Sequence, residues 1–333
     1  MTPSSPDSPP LRAASTPTRS RREGLVLAGL CALAIAGLAA LAAATGWAET
    51  RAQLLKLGLP QIAALLALSG VNYLLRGLRW HLFARTLGLA TTPLQNLRHF
   101  VGGFALSVTP GRIGELVRMR WLWRETGWAV ERTAPLVLMD RAGDLAAMAL
   151  ILAVAISVAA TGIAYALPVS LVALGAAVVA TRPGLLSRMT LVAYRLTGLA
   201  PRRMAGLRAA ARTLGVFSAP GVAAGALLLG IAGWVAEGYA FQLLLAWMGA
   251  EIGLAKALAI FTFATLAGGL TGAPGGLGGA EAAMIALLTL DGIPLEVSIP
   301  ATAIIRVTTL WFAIGLGLLV FPLAERMSFR AMS

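Results

Sequence analysis

The chain has 333 residues, of which 58% are hydrophobic and only 12% are charged, and its mean hydropathy is +0.80. Several apolar runs reach the roughly 20 residues that a helix needs to cross a bilayer, so we predict an all-α, polytopic integral membrane helix bundle. The net charge of +13 comes almost entirely from arginine. In such a protein, basic residues set topology and attract anionic headgroups. Nucleic-acid binding is excluded because no soluble domain is predicted to present a basic face.

Cysteine and histidine are too scarce for several chemistries. Cys31 is the sole cysteine, which excludes a disulfide framework and a paired-cysteine metal site. His81 and His99 are the only histidines, and both stand near basic residues. We therefore predict no metal, no cofactor and no catalytic residue.

The chain starts with a polar segment that leads into a first apolar run. Residues 1–23 are rich in Ser, Pro, Thr and Arg, so we expect a disordered cytoplasmic tail before a single membrane domain at 24–333. The run from Gly24 to Ala44 is longer than the core of a signal peptide and predicts a transmembrane helix. Arginines ahead of this helix place the N-terminus in the cytoplasm.

A second span, followed by a broken element, is predicted next. The span covers about Leu57 to Leu75 and ends in R-G-L-R-W-H, whose positive charges place that end in the cytoplasm. Residues 93–123 then combine a short apolar part, a Pro110–Gly111 break and a polar helix. This pattern predicts a re-entrant element that enters from the cytoplasm. An interfacial amphipathic helix over Arg118 to Trp128 is the alternative.

A third long apolar run, Thr133 to Ala160, contains Asp140, Arg141 and Asp144. The two aspartates share one helix face because they are four residues apart. Ionisable groups inside a membrane are costly, so they usually face the bundle interior and pair with one another. A structural Asp–Arg clamp and a role in substrate or proton movement both fit this pattern.

The middle of the chain carries the clearest topology signal. A predicted helix at 162–180 precedes residues 182–212, which hold seven arginines and no acid. This composition predicts a basic cytoplasmic loop that extends over 182–218. The next helix, Pro220 to Trp247, contains Glu237.

A second broken element is predicted around the sequence T-G-A-P-G-G-L-G-G-A-E-A-A, which begins at Thr271. A proline and five glycines cannot continue a straight helix, and in lipid the freed backbone groups need protein or a water-lined cavity. We predict an entry half at 254–270 and an exit half at 280–290, whose N-terminal amides face a cavity suited to an anion. A glycine-rich turn outside the membrane is the alternative.

The two broken elements define an internal repeat. Glu115 follows the first break and Arg141 lies further along, and Glu281 and Arg306 repeat this pattern at nearly the same spacing. The last span, Ile299 to Phe321, contains Arg306, and arginines beyond it keep the C-terminus inside. The positive charges predict opposite orientations for the two units, which are about 57–160 and 220–323. Inverted repeats of this kind place a site at the bilayer midplane. Chance similarity of two Pro-Gly turns is the alternative.

Several segments point to a known family: R-G-L-R-W (from Arg76), P-G-R-I-G-E-L-V-R (from Pro110), M-D-R-A-G-D-L (from Met139), P-G-G-L-G-G-A-E-A-A (from Pro274) and A-I-I-R-V-T-T-L-W (from Ala303). They resemble the lysylphosphatidylglycerol synthase/flippase transmembrane family. The resemblance implies a bundle that moves or handles amphiphilic lipids across the bacterial inner membrane. In well-known members a soluble aminoacyl-transferase domain follows, so with a chain that stops at Ser333 we expect no synthase activity.

The favoured hypothesis is a flippase-like protein for an anionic or glycosylated lipid. Its arginines would hold a phosphate, because the guanidinium group suits bidentate phosphate contacts. The carboxylates would pair with the arginines in the empty site and are candidate proton carriers. The predicted substrate-binding residues are Arg112, Glu115, Arg118, Asp140, Arg141, Asp144, Pro274, Gly275, Gly276, Gly278, Glu281 and Arg306.

Two other functions fit the same residues. Paired carboxylates and arginines in a cavity can do acid–base work, so a membrane-embedded lipid-modifying transferase is an alternative. A non-catalytic partner of a lipid-synthesis enzyme is another. The absence of a nucleotide-sugar domain and of a metal-ligand cluster from the sequence favours a protein without enzymatic activity.

Overall fold

The computed structural model describes residues 51–53, 55–109, 113–159 and 215–331, together with Ala32, Leu171 and Gly175. In these ranges the chain forms helices and short turns, and no strand. The helices are α1 (Leu59–Thr86), α2 (Pro93–Gly103), α3 (Ile113–Thr126), α4 (Val130–Ala159), α5 (Pro220–Trp247), α6 (Leu254–Leu270), α7 (Gly279–Leu290), α8 (Leu295–Arg306) and α9 (Phe312–Arg330). Short 3-10 helices cover Phe104–Leu106, Gly215–Ser218 and Pro274–Gly276, and a π-helical turn at Val307–Trp311 joins α8 to α9.

Four helical stretches in the described part are long and apolar enough to cross a membrane. They are Leu59–Thr86, Val130–Val158, Pro220–Trp247 and the continuous stretch Leu295–Arg330. This confirms the prediction of an all-α membrane helix bundle. Large apolar side chains such as Leu59, 84% exposed, lie on its outer surface, where lipid replaces water as the solvent.

Helix α1 differs from its prediction, because it continues eleven residues past Leu75 to Thr86. Arg76 and Arg79 are therefore not loop charges. They are 8% and 0% exposed and lie in the interior of the bundle. Arg85, in the last turn, is exposed, so among these three arginines it alone has the setting of a topology-determining charge. The physical reason for the difference is that carboxylates on α4 neutralise the two inner arginines, as described below.

The first broken element is a pair of closely packed helices. Helix α2 begins with a capping box, in which the Thr92 side chain accepts a hydrogen bond from the Gln95 amide and the Gln95 side chain accepts one from the Thr92 amide. Helix α3 packs back against α2, and a Cβ atom added at Gly114 would lie 2.3 Å from the carbonyl oxygen of Gly103. We call α2, the chain after it and α3 the first hairpin. Its break at Pro110–Gly111 lies outside the described residues.

The second broken element, α6, Pro274–Gly276 and α7, forms the second hairpin. Its halves have the predicted positions, Leu254–Leu270 and Gly279–Leu290. The corner depends on Gly275, whose φ of +64° is a conformation that side chains with a Cβ rarely adopt. The two halves lie so close that a Cβ atom added at Gly268 would be 2.7 Å from Cβ of Ala280.

The corner of the second hairpin packs against the first hairpin. A Cβ atom added at Gly275 would lie 3.2 Å from Cγ1 of Val108, which follows α2 in the first hairpin. Helix α9 closes the same region, because a Cβ atom added at Gly317 would lie 2.2 Å from the backbone nitrogen of Ala105. The re-entrant path of each hairpin, the opposite orientation of the units 57–160 and 220–323 and the single-domain organisation stay predictions.

Several predicted segments lie outside the described residues. They are the tail at 1–23, the apolar runs at 24–44 and 162–180, and most of the arginine-rich segment at 182–218.

The described helices pack around two main apolar cores. One surrounds Leu152, Phe241 and Leu288, and the other surrounds Trp80 and Phe100.

Candidate functional site

A cavity of about 480 Å³ lies where the two hairpins meet. Its wall includes Ser107 from the first hairpin and Gly275 from the second, together with side chains from α1, α3, α4, α5 and α8. The wall has an apolar part, to which Leu145, Met148 and Phe261 belong, and a charged part. The cavity is therefore amphipathic.

The most deeply buried charges form a cluster behind and beside the cavity. The guanidinium of Arg79, 0% exposed, contacts a carboxylate oxygen of Asp140 and one of Asp144, each at 2.6 Å. The second oxygen of Asp144 lies 2.6 Å from Nη2 of Arg76. The indole of Trp234 donates a hydrogen bond to Asp144 Oδ1 at 3.2 Å. Asp144 is thus shared by two arginines and an indole, and it fixes α1 and α5 against α4.

Arg141 connects this cluster to the first hairpin. Its Nε lies 2.8 Å from Glu115 on α3, and its two terminal nitrogens lie 3.8 Å from Asp140 and 3.7 Å from Asp144. The Arg141 side chain is 32% exposed, much more than the arginines of α1. It lines the cavity together with Glu115.

Arg118 lines the cavity in an unusual setting. The residue is 3% exposed, and its guanidinium carbon lies 4.3 Å from the ring centroid of Phe100 and 5.6 Å from that of Trp80. Its nearest carboxylate in the described structure is that of Asp140, at 3.9 Å from Nη1, and Glu115 on the same helix acts on it from further away. Within the described residues, Nε and Nη1 of Arg118 make no hydrogen bond. A buried cation with free donors on an aromatic face is prepared to receive an anion.

The second hairpin has its own arginine. Nε of Arg306 donates to Glu281 at 2.5 Å, and Nη2 donates to the carbonyl oxygen of Gly275 at 2.9 Å. Arg306 thereby ties the hairpin corner and the first turn of α7 to α8. Nearby, the Tyr73 hydroxyl donates to the carbonyl oxygen of Thr309 in the π-helical turn.

The predicted site residues take three kinds of position. Those that line the cavity are Glu115, Arg118, Arg141, Asp144, Gly275, Gly276 and Arg306. Asp140 and Glu281 lie behind the wall as partners of its arginines. Gly278 lies in an exposed turn, with φ +81°, and is not among the lining residues. Arg112 lies outside the described residues, and of Pro274 only the backbone is described.

Sequence reasoning missed other parts of the wall. Arg76, Tyr73, Trp234 and Glu237 all line the cavity. The arginines of α1 carried a usable signal, because Arg76 and Arg79 share a helix face in the same way as Asp140 and Asp144 do. Glu237 was visible as a lone acid in a long apolar helix, which marks a functional position in a membrane protein.

A multi-pass helix bundle that encloses a charged, amphipathic cavity defines a class of membrane protein that accommodates a polar group within the apolar layer. The family comparison agrees with this class. The family model described as "Lysylphosphatidylglycerol synthase TM region" matches residues 25–317, so the chain belongs to that family. This confirms the resemblance seen in the sequence and relates the protein to membrane lipid handling or lipid synthesis. No curated protein matches the sequence significantly.

Proposed function

We propose that this protein binds the phosphate of an anionic lipid in the cavity and moves that lipid across the bacterial inner membrane. The single observation that carries the proposal is Arg118, a cavity-lining arginine that is 3% exposed and has two nitrogens without a hydrogen-bond partner among the described residues. A lipid-linked glycan with a phosphate in its headgroup presents the same chemistry.

The electrostatic setting of Arg118 supports an anionic ligand. A buried charge is tolerated only when it is paired and hydrogen-bonded. The nearest described carboxylate oxygen is 3.9 Å away, beyond normal hydrogen-bond distance, and belongs to an aspartate already bound to Arg79. A phosphate oxygen beside Arg118 would complete its hydrogen bonding in a fork geometry that guanidinium favours.

The composition of the wall supports an amphiphile. Arg76, Arg141 and Arg306 lie on the charged side, and Leu145, Met148 and Phe261 provide an apolar side. A free phosphate would leave the apolar surface unused, whereas a lipid covers both. The contribution of both hairpins to the wall of this cavity also fits the midplane site of transporters with broken helices.

Movement fits the geometry better than catalysis. A general acid or base needs a carboxylate free to exchange a proton with the reacting group. Glu115, Asp144 and Glu281 each lie within 2.8 Å of an arginine nitrogen, so all three are engaged in ion pairs. Among the described residues, Glu237 is the exception in the cavity wall, and a transferase would have to use it. The transferase and the non-catalytic partner therefore become outcomes of the test.

The test reconstitutes the full chain into phosphatidylcholine vesicles that contain a fluorescent phosphatidylglycerol in the inner leaflet. We expect the labelled lipid to reach the outer leaflet, where a membrane-impermeant reductant quenches it. Arg118→Gln is expected to reduce the rate at least about tenfold, because it removes one charge-assisted phosphate contact.

Arg120→Gln is the matched control on the same helix. Arg120 is 36% exposed in its side chain, pairs with Glu325 outside the cavity and should leave the rate unchanged. Equal rates for vesicles with and without protein would contradict the proposal. Chemical conversion of the labelled lipid without movement, detected by mass spectrometry, would identify the transferase instead. Inactivity that is relieved by a copurified lipid-synthesis enzyme would identify the accessory protein.

The proposed location has its own test. In a variant that lacks Cys31, a cysteine at Ala250 should react with an impermeant maleimide from the periplasmic side, and a cysteine at Thr197 only after the cell is opened. This result would place the segment around Thr197 in the cytoplasm and the segment around Ala250 in the periplasm; the proposal of cytoplasmic termini rests on the positive charges beside them. Reaction of both positions from one side would contradict the inverted repeat.

A further inference from the structure

Glu237 differs from the other carboxylates of the cavity. It lies on α5, is 4% exposed and lines the cavity. Glu115 and Asp144, the other lining carboxylates, contact arginine nitrogens at 2.8 Å and 2.6 Å. Among the described residues, Glu237 makes no ion pair within 4.0 Å. It is thus a buried acid that faces the proposed lipid site without a bound cation.

Charged groups on three neighbouring helices act on Glu237 from further away. They are Arg76 on α1, Arg306 on α8 and Asp144 on α4, and the Tyr73 hydroxyl also faces it from α1. The side-chain amide of Asn72 lies beside Glu237 on the same side. Helix α6 contributes only uncharged groups to the cavity, among them Thr265. Within the described residues, Glu237 thus faces the cavity with charged groups of both signs nearby and no ion pair of its own.

Among the described residues, the charges around the cavity balance when Glu237 is ionised. In the described part of the chain the cluster holds equal numbers of arginines and carboxylates. The arginines are Arg76, Arg79, Arg118, Arg141 and Arg306, and the carboxylates are Glu115, Asp140, Asp144, Glu237 and Glu281. A phosphodiester headgroup would add one negative charge to this neutral cluster. An uncompensated charge in a water-poor interior is costly.

We infer that Glu237 takes up a proton from cavity water when an anionic headgroup enters, and releases it when the headgroup leaves. The proton binds to a carboxylate oxygen, and no covalent bond of the lipid forms or breaks. This inference rests on the proposed function and deepens it, because it names the ion that accompanies the lipid. The other four carboxylates each lie beside an arginine, so the inference assigns the exchange to one side chain.

Thermodynamic linkage between protonation of Glu237 and lipid binding sets how the lipid affinity depends on pH. If binding the lipid favours protonation of Glu237, protonation must favour binding of the lipid by the same factor. The affinity for an anionic lipid therefore falls as pH rises through the titration of Glu237. Glu237→Gln mimics the protonated form, so it should keep its affinity at high pH.

The experiment is calorimetric titration of the purified full chain with short-chain phosphatidylglycerol, in buffers of different ionisation enthalpy. The dependence of the heat on the buffer gives the number of protons taken up per lipid bound. We expect about one proton for the wild type, and an uptake close to zero for Glu237→Gln. Glu251→Gln is the matched control, since Glu251 is an exposed carboxylate outside the cavity and should leave the uptake unchanged.

The outcomes separate the inference from the proposed function. Binding without proton uptake by the wild type, or equal uptake by Glu237→Gln, would overturn the inference and leave lipid binding intact. No binding heat for any form, despite a folded protein by size-exclusion chromatography, would overturn the proposed function and the inference with it. Loss of binding in Glu237→Gln alone would also contradict the inference, because the uncharged variant should bind at least as well.

Discussion

The two hairpins carry the same pair of side chains in different electrostatic settings. In the first, Glu115 lies 2.8 Å from Arg141, which also approaches Asp140 and Asp144. In the second, Glu281 lies 2.5 Å from Arg306, whose other contact is the carbonyl oxygen of Gly275. The first pair belongs to a network around the cavity, while the second pair stabilises the corner of the second hairpin. A shared pattern in the sequence thus has two physical roles.

The two pairs also differ in how far their side chains are buried. The side chains of Arg141 and Glu115 are 32% and 17% exposed, whereas those of Arg306 and Glu281 are 10% and 8% exposed. The more exposed pair can be rearranged by a ligand at low cost. The less exposed pair stabilises the fold of the second hairpin. We therefore propose that the first hairpin and its network rearrange to bind the ligand, and that the pair in the second hairpin stabilises its fold.

The largest expected effect concerns the network. Asp144→Asn removes the charge shared by Arg76 and Arg79 and leaves two buried guanidinium groups undercompensated. We expect a loss of about 3–5 kcal/mol in the free energy of unfolding, measured by denaturant titration in detergent.

The control for this prediction is Asp291→Asn. Asp291 pairs with Lys256, and both side chains are about one-quarter exposed. Its loss should lower the free energy of unfolding by less than about 1 kcal/mol. Equal losses for the two variants would show that the network around Asp144 is no more than a set of weak surface pairs.

Double-mutant cycles sharpen the comparison of the two hairpins. Changing Glu281 and Arg306 to Gln, singly and together, should give a coupling free energy of about 1.5–3 kcal/mol, because both groups are buried and hydrogen-bonded. The cycle for Glu115 and Arg141 should give about 0.2–1 kcal/mol, because that pair is screened by solvent. A reversed order would contradict the roles assigned above.

A smaller effect is expected at the corner of the second hairpin. Gly275→Ala places a side chain at φ +64° and brings Cβ within 3.2 Å of Val108. We expect a loss of about 1–2 kcal/mol in the free energy of unfolding. Gly70→Ala, inside α1 with no atom within 4 Å of the new Cβ, should be neutral or stabilising. Thermal unfolding of the two variants side by side tests this difference.

Local features of the sequence predicted the second hairpin well. Pro220 fixes the start of α5, and Pro274 with its glycines fixes the corner. The Glu281–Arg306 contact is also consistent with the chain order. A short turn joins α7 to α8, and this brings the first turn of α7 beside the last turn of α8. Both predictions depended on residues close to each other along the chain.

The charged network could not be predicted in the same way. Arg76 and Arg79 follow an apolar run, which is also where topology-determining charges stand. Only their contacts with α4, more than 60 residues along the chain, show that they are interior groups. Glu237 has no basic neighbour in the sequence, so its place in the cavity wall depends on the packing of α5 against α1. The shared face of Arg76 and Arg79 and the isolated Glu237 are local signals of interior positions, but which residues they contact depends on tertiary packing.

The most direct test of the central claim is an experimental structure of the full chain with short-chain phosphatidylglycerol bound. The account predicts the lipid phosphate inside the cavity, with an oxygen about 2.7–2.9 Å from Nε or a terminal nitrogen of Arg118. A phosphate bound only at the outer surface, with the Arg118 guanidinium still on Phe100 and its donors unused, would contradict it.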